Sequence, residues 1–294
     1  MKHFDDIKDD EIRIINPMKE ENKPPLYRRW WFWLVLAVLI IVIVVVVLSL
    51  RPTEDVMPAE VCLDSTESYY MDFETQSIAV EQCLEQVGLA SVSESDTTVN
   101  DVPLRLYTPK NAVPELCLGM PDTTDLSIVL ALQAADIRAD NRQIVGAYVL
   151  NGELLSRGMS KKGFCAIIGG EVYLGVAEST PLLEEAIEKE GSFFRQYPLV
   201  NGGTMVENKP KGKSERRALC EKDGQLLVVR SLGRESFHDF AQALADLGVE
   251  QAIYLTGGEA YGFCRNTDSA LDSWGSSATA KKFENVNFIV WKGK

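Results

Sequence analysis

The chain has 294 residues, six cysteines and a formal net charge of −13. Residues 1–29 carry seven acidic and seven basic side chains, so the whole negative charge belongs to the remainder of the chain. Because such an acidic domain repels phosphate backbones, the charge argues against nucleic acid as a partner.

The N-terminal region predicts a tail followed by a membrane anchor. Residues 1–29 have few apolar side chains and cannot bury enough surface to order, so we expect a disordered tail. Residues 30–50 then form a run of 21 residues in which only Ser49 is polar, and a bilayer-spanning helix needs ~20 apolar residues. The run exceeds the about 7–15 residues of a signal-peptide core, and no small-x-small cleavage site follows. We therefore predict one uncleaved transmembrane helix whose partner is the lipid bilayer.

The basic residues around residues 30–50 predict the orientation of the anchor. Arg51 stands almost alone after the span, whereas four basic residues precede it: Lys19, Lys23, Arg28 and Arg29. Positive charge favours the cytoplasmic side, so the N-terminus is expected in the cytoplasm. Residues 51–60, rich in proline and charge, then predict a linker, and residues 61–294 predict an extracytoplasmic domain.

The first part of this domain contains a predicted helix and a turn-rich stretch. In residues 74–88, apolar residues recur at mostly helical spacing and Gly88 offers a stop. Residues 90–125 contain four prolines and predict turns rather than regular structure: Pro103, Pro109, Pro114 and Pro121.

From about residue 126 the pattern is that of strands interrupted by two helices. Short runs rich in valine, isoleucine and aromatic residues alternate with glycine turns, and the runs "GFCAII" and "EVYLGVA" predict a hairpin. Residues 179–191 predict a helix capped by Ser179 or Thr180, and residues 235–248 predict a second helix ending at Gly248. Strands outnumber helices without regular alternation, so we predict an α+β fold with a mixed β-sheet and flanking helices.

The cysteines predict neither a metal site nor a nucleophile. None forms a C-x-x-C pair, which disfavours a zinc ribbon. Cys165, Cys220 and Cys264 lie in apolar, strand-like runs, as small buried thiols do. His238, the only histidine outside the tail, lies in a predicted helix, so no Cys–His pair is indicated. We expect no cofactor and no metal.

Polar side chains gather at the ends of three predicted strands, where functional sites are often located. Taken one at a time, each stretch is typical of a solvated loop, so a site is indicated only if they meet. The candidates are Gln133 and Asp136, then Arg195 and Asn201, and finally Thr256, Gly257, Gly258 and Glu259, with Arg217 before them.

Taken in order, these stretches resemble the phosphodiester glycosidase family over residues 125–292. The resemblance is carried by "GAYVLNGELLSRG", "GFCAIIGGEVYLGVAES", "FFRQYPLVNGG", "RRALCEKDGQLLVV", "SFHDFAQALADLGVEQAIYLTGG" and "NVNFIVWK". In that family an asparagine segment, an arginine and an Asp-Gly-Gly turn line one pocket. The resemblance implies a ligand that is a sugar phosphodiester or a related glycan.

Carried over residue by residue, the family's asparagine falls on Gln133, its arginine on Arg217 and its glycines on Gly257 and Gly258. The family's aspartate falls on Thr256, which has no charge and cannot act as a general acid or base near neutral pH. Gln133 is one methylene longer than the family's asparagine, so its amide group lies farther from the backbone. A ~1 Å displacement of a catalytic group can lower a rate about 100-fold.

The residues leave two functions open. Glycoside cleavage usually needs two carboxyl groups, which Glu259 and Asp136 supply as the candidates, while Arg217 or Arg195 would hold the phosphate. The resemblance thus implies a phosphodiester glycosidase. The alternative is a catalytically inactive, membrane-tethered binding or assembly protein on the same fold.

Overall fold

The computed structural model describes residues 77–80, 89–158, 160–265 and 270–293. The predicted tail, transmembrane helix and linker lie outside these residues. The described residues belong to one compact unit, Asp64–Lys294. Within them, no helix is both long enough and apolar enough to cross a membrane.

Strands dominate the described part of the chain. In chain order the elements are β1 Ser77–Val80, β2 Ser91–Val99, β3 Val102–Lys110, β4 Ala112–Leu118, β5 Ile128–Gln133, β6 Ala147–Leu150, β7 Glu153–Arg157, β8 Gly163–Ile168, β9 Glu171–Val176, α1 Leu182–Glu188, β10 Ser192–Gln196, β11 Pro198–Asn201, β12 Thr204–Met205, β13 Ser214–Lys222, β14 Gln225–Glu235, α2 Phe237–Asp246, β15 Gln251–Leu255, β16 Gly262–Arg265, β17 Leu271–Trp274, α3 Ser277–Lys282 and β18 Asn287–Gly293.

The strands form three sheets. Sheet A has the order β1-β9-β8-β10-β6-β7, sheet B the order β12-β11-β15-β13-β14-β3-β2, and sheet C the order β17-β16-β5-β18-β4. Every strand pairing in the described ranges is antiparallel, so the predicted mixed sheet is wrong. Tight turns such as Asn151-Gly152 and Asp223-Gly224 connect neighbouring strands, and such short connections permit only antiparallel pairing. The domain is mostly β with few helices.

The predicted hairpin and the two predicted helices are present. Strands β8 and β9 pair from Gly163↔Val176 to Ile168↔Glu171. Helix α2 begins after Ser236, whose side chain accepts a hydrogen bond from the backbone N–H of Asp239 at 3.0 Å. At the start of helix α1, Pro181 makes no side-chain cap bond, but the Thr180 hydroxyl accepts a hydrogen bond from the backbone N–H of Leu182 at 3.4 Å, as the predicted cap at Thr180 requires.

The prediction of a helix in residues 74–88 is wrong for residues 77–80. Ser77–Val80 is a strand, β1, that pairs with β9 through Ile78↔Leu174 and Val80↔Val172. Ile78 and Val80 are two residues apart, which also fits strand periodicity, and so short an apolar run cannot separate the two patterns. Residues 81–88 lie outside the described part of the chain.

The stretch from residue 90 to 125 holds strands β2, β3 and β4, not turns alone. Its prolines lie where no ladder hydrogen bond is required. Pro103 and Pro109 are in β3 but outside Leu104–Tyr107, the part of β3 that pairs with β14. Pro114 lies on β4, which forms the edge of sheet C, and edge strands tolerate proline.

A central hydrophobic cluster joins the three sheets. It includes Cys165 of sheet A, Leu219 of sheet B, and Leu130 and Trp291 of sheet C. Packing of the three sheets around this cluster brings the ends of β5, β10 and β15 to one place. Cys165, Cys220 and Cys264 are buried free thiols, as predicted.

Candidate functional site

The ends of β5 and β15 meet, although their residues are far apart in sequence. The backbone N–H of Thr256, just after β15, donates to the carbonyl oxygens of Gln133 at 3.1 Å and Ala134 at 3.3 Å. This contact joins sheet B to sheet C. The glutamine stretch and the Gly-Gly stretch singled out in the sequence therefore lie side by side.

A cavity of about 380 Å³ opens at this junction. Three of the sequence-predicted residues line it: Gln133, Asp136 and Thr256. The remaining wall consists of Ala135, Ile137, Val145, Lys161, Tyr197 and Val286. The cavity combines a few polar groups with apolar side chains, which is typical of small-molecule sites.

The carboxylate of Asp136 is the hub of the polar contacts in this cavity. Its Oδ2 accepts a hydrogen bond from Lys161 Nζ at 2.5 Å, and its Oδ1 lies 3.0 Å from the Thr256 hydroxyl. The same hydroxyl lies 3.1 Å from the carbonyl oxygen of Ala134, and its single proton can serve only one of the two acceptors at a time. The threonine thus supports the carboxylate without adding charge.

Lys161 supplies the positive charge of the cavity. Its side chain is only 5 % exposed, and it also donates to Oε1 of Gln196 at 2.7 Å. Burial lowers the pKa of Lys161, because an ammonium loses its hydration there, although the ion pair with Asp136 works in the opposite direction. The ammonium also lies 4.6 Å from the centre of the Tyr197 ring, a favourable cation–π distance.

Gln133 is the polar group of the cavity that remains available to a ligand. The residue is 9 % exposed and faces the cavity, and its side-chain amide makes no hydrogen bond within the described part of the chain. Its amide atoms are not among the buried polar atoms that lack a partner, so they are open to solvent in the cavity. A ligand hydroxyl or carbonyl can therefore take the place of that solvent and form hydrogen bonds with the amide.

Asn287 holds the backbone that carries these residues. It lies on β18 and is 1 % exposed. Its Oδ1 accepts from the N–H of Ala135 at 2.7 Å, and its Nδ2 donates to the carbonyl of the same residue at 3.1 Å. Gln196 adds a bond from Nε2 to the carbonyl of Ala134 at 3.3 Å. These side chains fix the turn between Gln133 and Asp136.

Arg217 lies behind the cavity and does not line it. Its guanidinium is fully buried and donates to the carbonyl oxygens of Thr256 at 3.0 Å, Gly258 at 3.0 Å and Ala260 at 2.8 Å. Burial lowers the pKa of Arg217 to about 10, and the nearby Arg230 adds to the effect. Its visible role is to hold the loop that carries Thr256.

The glycines of this loop are required by close packing. A Cβ on Gly257 would come within 2.6 Å of the Tyr254 hydroxyl and would also meet the carbonyl oxygen of Glu215. Gly258 has φ +60°, which favours glycine. Glu259 is exposed, does not line the cavity, and contributes its backbone carbonyl to the N–H of Ser276 at 2.9 Å.

Arg195 and Asn201 also lie outside the cavity lining. The guanidinium of Arg195 is buried and donates to the carbonyl oxygens of Lys161, Ala177 and Glu178 at 3.1, 2.7 and 3.0 Å. It therefore positions the segment that carries Lys161. Asn201 pairs with Gln251, at the opposite end of β15 from Thr256.

Sequence reasoning missed Lys161, Asn287 and, as a lining residue, Tyr197. Tyr197 lies in the second polar stretch, which was noted for its arginine. Lys161 lies in "SKKG", directly before a buried strand, and the pair of lysines at that position was the available signal. Asn287 begins the final strand as a buried polar residue, which hydropathy does not distinguish from a turn.

The antiparallel architecture is that of a solved glycosidase domain. The catalytic domain of zebrafish N-acetylglucosamine-1-phosphodiester alpha-N-acetylglucosaminidase, auto-inhibited by its pro-peptide, has a TM-score of 0.54 and 14 % identity, covering 74 % of this chain and 88 % of that one. A hypothetical protein from Synechocystis gives a TM-score of 0.45 and 14 % identity, covering 70 % of this chain and 62 % of its own. No curated protein sequence matches the chain. The family model of phosphodiester glycosidases matches residues 127–285, more than half of the chain, so the chain belongs to the phosphodiester glycosidase family.

Proposed function

We propose that this domain binds a sugar phosphodiester or a related glycan in the cavity between β5 and β15. The observation that carries the proposal is the meeting of Gln133, Asp136 and Thr256 around one cavity, where the Gln133 amide makes no hydrogen bond within the described part of the chain. We further propose that residues 30–50 anchor the chain in a membrane, with residues 61–294 outside the cytoplasm.

The cavity suits such a ligand in size and chemistry. Its volume of about 380 Å³ falls within the about 300–1,000 Å³ common for ligand sites. Sugar hydroxyls both donate and accept hydrogen bonds, which matches the Gln133 amide and the Asp136 carboxylate. The Lys161 ammonium supplies the charge that a phosphodiester needs, provided that the ligand competes with Asp136 for it.

Hydrolysis of the same ligand is the second candidate, favoured by the family and by a carboxylate in the cavity. Glycoside cleavage usually uses two carboxyl groups. Among the described residues that line the cavity, Asp136 is the sole carboxylate, and the Thr256 hydroxyl lies beside it where the family has an aspartate. Binding therefore ranks above hydrolysis.

The binding proposal is tested by titrating the full-length chain, in detergent micelles, with the methyl phosphodiester of N-acetylglucosamine 1-phosphate. Gln133→Leu should weaken binding by about tenfold or more, because two lost hydrogen bonds are worth about 0.5–1.5 kcal/mol each. The variant should not lower the free energy of unfolding, since the amide has no partner in the protein. Gln225→Leu, at the exposed first residue of β14, is the matched control and should bind like wild type. Absence of binding by wild type would reject the proposal.

The same ligand separates binding from hydrolysis. If the domain only binds, neither wild type nor Asp136→Asn releases free sugar. Release by wild type that Asp136→Asn abolishes would establish hydrolysis at this cavity instead. Glu259→Gln tests the exposed carboxylate and should change nothing. Thr256→Asp restores the family's acid, and product release from this variant alone would identify Thr256 as the change that silences the site.

The topology is tested independently of the ligand. A reporter that is active only outside the cytoplasm, fused after Lys294, should be active, and a cytoplasm-only reporter at that position should be silent. The full-length chain should also remain with membranes after a carbonate wash. Activity of the cytoplasmic reporter would overturn the proposed orientation, whereas a chain released by carbonate would overturn the anchor.

A further inference from the structure

Three polar residues form a row across sheet B, at the opposite end of β15 from the cavity. Glu221 of β13 pairs directly with Gln251 of β15, and Gln251 pairs directly with Asn201 of β11. Directly opposed residues in antiparallel strands point their side chains to the same face, about 4.5–5.5 Å apart at Cβ. The three side chains therefore lie next to each other.

Each side chain in this row has a buried oxygen without a hydrogen-bond partner. These atoms are Glu221 Oε2, Gln251 Oε1 and Asn201 Oδ1. Glu221 and Gln251 are only 1 % and 2 % exposed. The other carboxylate oxygen of Glu221 accepts from the N–H of Gly224 at 2.9 Å, which fixes the carboxylate at the end of its strand. The row thus presents one carboxylate and two amide oxygens that the protein itself does not satisfy.

With the three oxygens facing each other, a single proton on Glu221 joins only two of them and leaves the third without a partner. A hard cation can contact all three at once, since carboxylate and amide oxygens are the ligands that Ca²⁺ takes in proteins. The described residues contain no group of three or more histidine, cysteine, aspartate or glutamate side chains that could hold a metal. A cation here would therefore rely on mixed carboxylate and amide ligands.

The charges around the row favour a cation. Two further carboxylates lie near Glu221: Glu250 donates its backbone N–H to the carbonyl oxygen of Glu221 at 3.0 Å, and Asp223 follows two residues later in the chain. Lys222 is the nearby cationic side chain, and its ammonium is already bound to Asp223 Oδ2 at 2.7 Å. Asn201 is half-exposed and is followed by the exposed Gly202-Gly203 turn, which provides a route for an ion.

We propose that Glu221, Gln251 and Asn201 form a binding site for a hard divalent cation, with Ca²⁺ as the best match. The cation would cross-link β11, β15 and β13 at one end of sheet B. This site is independent of the glycan cavity, which lies at the other end of β15.

The proposal is tested with the full-length chain after removal of metal by a chelator. Ca²⁺ alone is titrated by calorimetry, and the thermal midpoint is measured with and without about 1 mM Ca²⁺. We expect one bound ion per chain and a rise in the midpoint of about 5 °C, as for a ligand present at roughly 100 times its Kd.

Two variants and a control decide the outcome. Glu221→Gln keeps the shape but removes the charge, and Asn201→Leu removes one ligand at a half-exposed position where folding is less at risk. Each should weaken Ca²⁺ binding at least tenfold, whereas Glu188→Gln, at an exposed position of α1 on another sheet, should bind like wild type. Absence of Ca²⁺ binding by wild type would overturn the proposal and favour a protonated or rotated row, and equal binding by Glu221→Gln would place the ion elsewhere.

Discussion

Replacement of Arg217 tests whether this arginine supports the site or contacts the ligand. Arg217→Met removes the buried hydrogen bond from the guanidinium to the carbonyl oxygen of Ala260. A buried carbonyl left without a partner lowers the free energy of unfolding by about 1–3 kcal/mol. The carbonyls of Thr256 and Gly258 are partly exposed and recover water, so each adds about 0.5–1.5 kcal/mol. In the opposite direction, the uncharged methionine removes the free-energy cost of keeping a cation out of water, which stabilises the variant. We therefore expect a loss of about 2–4 kcal/mol in the free energy of unfolding.

Chemical unfolding followed by tryptophan fluorescence measures this loss, since the Trp274 ring lies 5.9 Å from the Arg217 guanidinium. Arg234→Met is the control, because Arg234 is exposed and bonds only to the carbonyl of Lys213 within the described part of the chain. It should change stability by less than about 0.5 kcal/mol. A loss below about 1 kcal/mol for Arg217→Met, together with a large loss of ligand affinity, would refute the supporting role.

Three further substitutions test local features by unfolding measurements. Ser236→Ala should destabilise the domain by about 1 kcal/mol, since it removes the side-chain cap of α2, and an unchanged stability would contradict the cap. Gly275→Ala should cost more than Gly119→Ala, because both have φ near +73° but only at Gly275 would the new Cβ come within 2.6 Å of the Ala260 carbonyl carbon. Equal losses would mean that backbone conformation alone matters. Asn287→Ala should lower the free energy of unfolding by about 2–3 kcal/mol and weaken ligand binding, because it removes both side-chain bonds to the backbone of Ala135. Unchanged ligand affinity would show that the turn between Gln133 and Asp136 keeps its conformation without Asn287.

Local sequence patterns located most of the elements but, apart from the β8–β9 hairpin, not their pairing. The runs that became β5, β8 and β15 are largely apolar because both of their faces are buried, and such runs are visible in a sequence. The antiparallel arrangement depends on which strands become neighbours. That choice rests on packing between residues far apart in the chain, for which a single sequence carries no direct signal.

The candidate site was predictable in part for the same reason. Gln133, Asp136 and Thr256 each follow a buried strand, so their meeting follows from where those strands end. Glu259 is only three residues beyond Thr256, yet it points away from the cavity, because the loop turns at Gly258. Lys161 could not be assigned, since its approach to Asp136 requires sheet A to pack against the junction of the other two sheets.

The position of β18 within sheet C constrains the order in which the domain is made. This strand lies between β5 and β4, although it follows them in the chain by more than 150 residues. During synthesis from the N-terminus, β4 and β5 therefore keep unpaired edges until residues 287–293 emerge. Unpaired edges invite association with other chains, so sheet C presents these edges to other chains until β18 takes its place between β5 and β4.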